Sequence, residues 1–373
     1  MNRIVISKSK TEEPLWQRIK EQLAKEINDV PFGEKFYTIG EICERFNVSQ
    51  ITARRVLEEI EKDGLIETGR GRRSIVKKIS EDISIEVIIP RGYTERTFQN
   101  PVVFKTYSGI LDTAKELGVK VDFISEKYFN RDISIGEKRG FILLYGVKNS
   151  VCESLKKHNL PFVVLMDEDF PFPCVRVDKE YGAFIAVEHL ILSGHKRIGC
   201  VLGPVNSISF APRFHGYCKA LEENGIICDK ALIKETSGIK EREDERAFED
   251  LMSLKNPPTA IFAGNDYRAI HIMNYCKRKK IKIPEDISIV GFDNIRESLY
   301  TLPPLTTVDT HRDKTGREAV RQLVHILSAK EESPVYSILI KPTLVMRESV
   351  KIMNKTYILS KNSEGKGGKD EEK

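Results

Sequence analysis

Three groups of side chains in this chain have the types and spacing to do chemistry. Gln50, Thr52, Arg54 and Arg55 fall in the first two turns of a helix that Ser49 would cap. That helix carries Ala53, Val56, Leu57 and Ile60 at i, i+3, i+4 and i+7, a buried stripe that turns the polar set outward. Arg70, Gly71, Arg72 and Arg73 follow at the tip of a short hairpin. Residues 68–79 hold five basic residues and no acid, a local stripe suited to phosphates. The third group is dispersed: Asp167 after FVVLM, Asn265 and Asp266 after TAIFAG, Asp293 after ISIVGF, and Arg213 at the start of a helix after GPVNSISF. Carboxylates, an amide and a guanidinium at strand ends, converging on one crevice, would hold a diol bidentately and reject ligands that leave them unpaired.

The elements that must position these groups are legible in the periodicity. Pro14 opens a helix to Asn28, with Leu15, Ile19, Leu23 and Ile27 on one face. Thr38 caps a second helix to Phe46, Asn47 and Val48 turn the chain, and the third helix runs from Ser49 to Asp63. Two helices joined by a tight turn, with basic and polar residues opening the second, suit insertion into a DNA major groove. LIETGRGRRSIVKK then reads as two strands, Leu65–Thr68 and Ser74–Lys77, flanking the basic tip as a wing. A bare helical hairpin with a solvated charged loop is the bland alternative for the helices alone, and the wing argues against it. Downstream, short apolar strands alternate with amphipathic helices for nearly 270 residues, which argues for a parallel sheet with helices on both faces. The expected plan is a winged helix at 1–78, a linker at 79–84, a large α/β body at 85–358 and a Gly- and charge-rich disordered tail at 359–373.

Composition narrows the classes. Sixty basic and 55 acidic residues leave a net charge of only +5, so any nucleic-acid surface must be local. No apolar run approaches the roughly 20 residues that span a membrane, and MNRIVISKSK has no signal-type apolar core behind it, so the chain reads as cytoplasmic. Seven scattered cysteines without a Cys-x-x-Cys pair argue against a disulfide framework or a structural zinc, and His189, His195 and His215 lack metal-ligand partners. GRGRRS lacks GxxxxGK[ST], and neither GxSxG nor HExxH occurs. No cofactor, metal or enzyme activity is expected.

LWQRIKEQLAKEI, YTIGEICERFNVSQITARRVLEEIEKDGLIE and the GRGRRSIVKK wing resemble the winged helix-turn-helix head of GntR-type regulators over residues 14–78. By that resemblance Gln50, Thr52 and Arg54 face bases or phosphates and Gly71 sits near the minor groove, within an expected DNA-binding set of Thr38, Ser49, Gln50, Thr52, Arg54, Arg55, Arg70, Gly71, Arg72 and Arg73. Two arginines common in that family are replaced by Gly40 and Gln50. VEHLILSGHKRIGCVLGP, PPTAIFAGND, IPEDISIVGFDN and LPPLTTV resemble, in order, the effector domain of LacI/GalR regulators, itself similar to periplasmic sugar-binding proteins. The combination is similar to that of arabinose-type sugar repressors. It implies two lobes with crossovers near Val177–Asp178, Leu302–Val308 and Ala329–Glu332, and a cleft lined by Arg213, Asn265, Asp293, Asp167 and Asp266. Val102 and Val103 stand where that family often places aromatics, and a customary helix between Glu126 and Arg139 is expected to be truncated.

Residue by residue, Asp293 could instead cap the next helix, Asp266 could be a turn residue, and Asp178 reads as a helix start. Tyr93 and Phe98 could stack on a sugar or lid the core. The function implied is a homodimeric repressor of carbohydrate-utilisation genes, binding operator DNA under control of a small sugar. A nucleobase effector, or a sugar-binding protein without regulatory coupling, remains open.

Overall fold

The computed structural model describes residues 14–27, 30, 34–62, 65–67, 73–76, 83–129, 138–165, 172, 174–237, 240–328 and 336–353. Arg70, Gly71, Arg72, Asp167, most of the expected linker, the expected truncated helix and the tail lie outside these residues.

The head comprises α1 (Leu15–Ile27), α2 (Ile39–Phe46), α3 (Gln50–Lys62) and an antiparallel pair, β1 (Ile66–Glu67) with β2 (Ile75–Val76). The expected stripe is buried: Ala53, Val56, Leu57 and Ile60 meet Ile19, Leu23, Ile42 and Phe46 in one core. Lys35 bridges Ile75, and Phe36 N–H donates to the Ser74 carbonyl at 2.7 Å, which adds a third short strand to the wing. Arg45 grips the Glu26 carboxylate with both terminal nitrogens, at 2.6 and 2.8 Å, and so pins α2 to α1.

The body has two lobes. In the first, β3 (Ser84–Ile89), α4 (Glu95–Phe98), α5 (Pro101–Leu117), β4 (Lys120–Ser125), β5 (Arg139–Leu143), α6 (Asn149–Lys157), β6 (Phe162–Leu165) and β7 (Cys174–Val177) run in sequence. The chain crosses at Asp178 and builds the second lobe: α7 (Lys179–Leu192), β8 (Ile198–Leu202), α8 (Ala211–Glu223), β9 (Ile233–Glu235), α9 (Glu241–Met252), β10 (Ala260–Ala263), α10 (Asp266–Lys279) and β11 (Ser288–Val290). After β12 (Thr307–Asp309) it returns with α11 (Arg312–Ser328) and β13 (Ile338–Ile340), then crosses again into β14 (Thr343–Val345). The first sheet is parallel with order β13-β7-β6-β5-β3-β4, the second parallel with order β11-β10-β8-β9, and β12 pairs with β14 antiparallel. The all-apolar strands are buried on both faces, as parallel sheets require.

Three features correct the expected layout. The second and third crossovers fall at Thr310–His311 and Lys341–Pro342, because β12 extends through Asp309 and the third passage joins β13 to β14. The pairing of short SILI and TLV runs carried no periodic signal. Ile83 is buried in the first-lobe core and Ser84 opens β3, so the expected linker includes two residues of the body. The crossovers are tied together: Asp178 N–H donates to the Ile340 carbonyl at 2.9 Å, and His311 Nε2 lies 2.9 Å from Thr343 Oγ1. Asp178 caps α7 by accepting from Tyr181 N–H, as expected.

The first lobe depends on a close crossing of α5 and α11. A Cβ added to Gly109 would lie 2.0 Å from the Asp313 carbonyl oxygen, and one added to Gly316 would lie 2.2 Å from that of Thr106. These obstacles are backbone and cannot rotate away. Gly109→Ala should therefore destabilise the protein by about 1–3 kcal/mol through overpacking. A urea midpoint equal to that of the parent would show that the helices separate freely.

Candidate DNA-binding face and effector cleft

In the head, the expected caps form. Thr38 accepts from Glu41 N–H at 3.2 Å while Glu41 accepts from Thr38 N–H at 2.8 Å, a reciprocal capping box. The Thr38 hydroxyl also donates to Glu41, so Thr38 acts within the fold. The Thr38 backbone bond, helped by the Thr38 hydroxyl and the Arg73 guanidinium, holds the Glu41 carboxyl below its usual range. Arg73 forms an ion pair with Glu41, which fastens the base of the wing to α2. Ser49 accepts from Thr52 N–H at 3.2 Å and caps α3. Gln50, Arg54 and Arg55 are exposed and Thr52 is half-buried. Arg55 lays its guanidinium over the Trp16 ring, 4.3 Å from the centroid, and so lies towards α1. Ile51, 82 % exposed, occupies the outer face of α3 beside Gln50 and Arg54. It was missed because apolar residues were sorted by the buried stripe, yet its phase opposite that stripe was a readable signal.

In the body, α8, β10 and β11 bring Arg213, Asn265 and Asp293 together at the carboxyl ends of the second-lobe strands. Arg213 Nη2 donates to Asp293 Oδ1 at 3.1 Å, and Nη1 donates to the Gly264 carbonyl beside Asn265. Its guanidinium carbon stands 4.1 Å from the Phe292 ring centroid and 5.2 Å from that of Phe210. Arg213 and Asp293 are both buried, and Arg213 Nε finds no acceptor among the described residues. Asn265 spends Oδ1 on capping α10, by accepting from Arg268 N–H at 3.0 Å. Asp293 is no helix cap: the following 3-10 turn starts after Ile295, and the carboxylate faces Arg213 instead.

Asp266 departs from the ligand-facing set. It is fully buried, accepts from Thr307 Oγ1 and from Ile295 N–H at 2.8 Å, and so clamps the loop that carries Asp293. The turn-residue alternative describes it. Tyr93 and Phe98 pack edge to face at 6.1 Å and Phe98 continues onto Tyr107, so this pair belongs to an aromatic cluster on the first-lobe core. His195 is buried against Thr259 and His189 is buried too, while His215 is exposed. Three residues of the cleft region escaped notice. Tyr145, just beyond β5, receives a 2.7 Å bond from Arg312, and strand-end logic applied to FILLY would have found it. Lys105 of α5 donates to the Asn294 carbonyl at 2.8 Å and links the lobes. Arg347 binds Asn294 Oδ1 at 2.6 Å and the Leu305 carbonyl at 2.6 Å.

Residues 187–350 match the family model of a periplasmic binding protein-like domain, and residues 20–78 match a DeoR-like helix-turn-helix domain. The HTH-type transcriptional repressor CytR of Escherichia coli (strain K12) is 33% identical over 318 residues, 82% of this chain and 90% of the relative. The chain belongs to the LacI/GalR-type transcriptional regulators. It therefore acts as a DNA-binding regulator of transcription with a periplasmic-binding-protein-like effector domain. A putative LacI transcriptional regulator from Bacillus cereus subsp. cytotoxis NVH 391-98 shares the fold at TM-score 0.61 and 26% identity, covering 73% of this chain and all of that one. A LacI family regulator from Enterococcus faecium with bound ribose has TM-score 0.60 and 24% identity, covering 73% and 100%. The GntR-type assignment of the head is corrected: the matching head family is DeoR-like, in keeping with the missing arginines at Gly40 and Gln50. Among the described residues no helix is long and apolar enough to cross a membrane, and no group of three or more His, Cys, Asp or Glu side chains could hold a metal ion.

Burial pushes the Asp266 carboxyl up to about 7, against its Thr307 and Ile295 bonds. Its folded value exceeds the unfolded 3.8, so its contribution to stability is complete below about pH 4 and is lost as pH rises through 7. Asp266→Asn cannot ionise and keeps an acceptor for Ile295 N–H, while its amide nitrogen would meet Thr307 Oγ1 as a donor where Asp266 accepts. Unfolding free energies from urea titrations between pH 4 and 8 should fall in the parent by on the order of a few kcal/mol, and fall less in the variant. Parallel profiles would place the burden on another group.

Proposed function

We propose that the chain is a homodimeric repressor of carbohydrate-utilisation genes whose operator affinity changes when a small neutral sugar binds between the lobes. The observation that carries this reading is the buried Arg213–Asp293 pair. The unmatched Arg213 Nε, the second Asp293 oxygen and the Asn265 amide nitrogen offer a donor, an acceptor and a donor at one strand edge, the pattern that a vicinal diol matches. Ribose bound to the Enterococcus faecium regulator, which has the same fold, supports a carbohydrate. A nucleobase needs a flat stacking wall. Val102 and Val103 occupy the first turn of α5, and Val103 packs into the core, so that wall is missing there.

In the proposed DNA complex, α3 lies in the major groove with Gln50, Thr52 and Arg54 towards bases or phosphates, and Ile51 against a thymine methyl. Arg70, Gly71 and Arg72, expected from the sequence at the wing tip, would add phosphate contacts. Exposed Tyr267, Leu299, Tyr300 and Leu302 on the second lobe, and Phe104 and Leu111 on α5, supply apolar area for a dimer. Effector and DNA need differ only by about 1–3 kcal/mol of coupling for regulation.

Arg54→Ala should weaken specific operator binding by about 1–3 kcal/mol. Arg55→Ala should instead perturb the fluorescence of Trp16, the single tryptophan, with a smaller effect on DNA. Equal losses from both variants in a mobility-shift titration would remove the distinction between groove-facing and α1-facing arginines.

A thermal-shift panel of sugars, polyols and purines tests the effector. A ligand at a hundred times its Kd stabilises by about 2.7 kcal/mol. A sugar hit lost in Asp293→Ala supports the cleft, whereas a purine hit overturns the carbohydrate reading.

A further inference from the structure

Two thiols outside the cleft stand together. Cys218 on α8 and Cys228 in the segment leading to β9 have sulfurs 3.2 Å apart, inside the roughly 3.5–4.0 Å at which non-bonded heavy atoms settle. Both are half-buried, whereas Cys152, Cys174, Cys200 and Cys276 are buried. Cys43, the remaining cysteine, is half-buried in the head.

Both thiols keep partial exposure, and chain beside each borders a cavity at this corner of the second lobe. A cavity of about 350 Å³ is lined by Leu221, one turn beyond Cys218, and by Ile227 and Asp229, the two neighbours of Cys228. Lys196 and Arg197 also line it, so an anionic small molecule is drawn to the site. Arg197 is already paired with Asp229 at 3.0 Å, which leaves Lys196 as the charge available to a visitor.

We propose that Cys218 and Cys228 are a modification site that forms an intrachain disulfide by exchange with an anionic low-molecular-weight disulfide. The Cys228 thiolate attacks one sulfur of the reagent, its S–S bond breaks, and one small thiol leaves with the proton released by Cys228. Cys218, losing its proton to solvent, then attacks Cys228 Sγ and displaces the second small thiol. Two protein thiols are oxidised and one reagent disulfide is reduced to two thiols, so atoms and electrons balance. Burial, and then the hydrogen bond with Cys228, raises the Cys218 thiol, and Cys228 takes the first attack because both of its chain neighbours line the cavity. The bond would staple α8, the helix whose first turn carries Arg213, to the segment that feeds β9.

The test uses the full chain equilibrated with oxidised and reduced glutathione, quenched with acid and mapped by mass spectrometry. Thiols titrated after denaturation should drop from seven to five, with a linked Cys218–Cys228 peptide and a raised melting temperature that reductant reverses. Cys218→Ser should trap a glutathione adduct on Cys228, and Cys228→Ser should leave Cys218 free. Oxidation that proceeds only in unfolding concentrations of urea, or a map that joins other cysteines, overturns the proposal. So does a melting temperature unmoved by oxidation once the linked peptide is found, since the native geometry would then not hold the bond.

Discussion

Everything at the second-lobe crevice depends on one buried ion pair. Moving a guanidinium and a carboxylate out of water costs several kcal/mol each, and their attraction offsets this only if the remaining polar atoms are also served. The structure meets that condition from three sides and leaves one atom, Arg213 Nε, without an acceptor among the described residues. Phe292 and Phe210 cover the faces of Arg213, the Gly264 carbonyl takes one nitrogen, and Asp293 takes another. Asp293 itself sits at φ 102°, a region that a side chain with a Cβ rarely adopts. Such strain persists only where the surroundings over-determine it. Here Asp293 N–H donates to the Val308 carbonyl at 2.8 Å, while Arg347 and Asp266 hold the two residues that follow, Asn294 and Ile295.

That same loop is where the lobes meet. Asn294 accepts from Lys105 of the first lobe through its carbonyl, and its side chain donates to Asp309, two residues before the His311 crossover. A ligand that shifts Asp293 by a fraction of an ångström therefore acts on a neighbour already bonded to the other lobe and to the crossover strand. The lobes are joined by single strands at Asp178, Thr310–His311 and Lys341–Pro342, so their relative position is set by few bonds and is cheap to change.

Periodicity exposed the head almost completely, because its stability comes from local rules: a Thr38 cap, a four-residue apolar stripe in α3, a hairpin of alternating residues. In the body, strands and their polar ends were also legible, and Arg213 bonds to Asp293 and to the Gly264 carbonyl beside Asn265. What failed did so for a physical reason. Asp266 follows a strand just as Asn265 does, but the helix turn starting there rotates it inward onto Thr307, and no linear pattern encodes that rotation. β13 and β14 are three-residue strands whose identity is set by partners more than 160 residues away in one case and 38 in the other, as Ile338↔Val175 and Thr307↔Val345 show.

The charge balance of the crevice bears on what it binds. Arg213 is matched by Asp293, and Arg268 by Asp244 at 3.7 Å, with Thr236 taking further bonds from Arg268. Arg268 also stacks on Phe210, so the two guanidiniums share one aromatic ring and neither projects freely. With its carboxyl raised by burial to about 7, Asp266 is only partly ionised near neutrality. Cation and anion thus cancel within a few ångströms. An anionic ligand such as a sugar phosphate would need a guanidinium released from its carboxylate, leaving a buried charge unpaired at a cost of several kcal/mol. A neutral polyhydroxyl ligand imposes no such loss, because it adds hydrogen bonds to a pair that remains intact. On the proposed reading the arrangement would select by charge before it selects by shape.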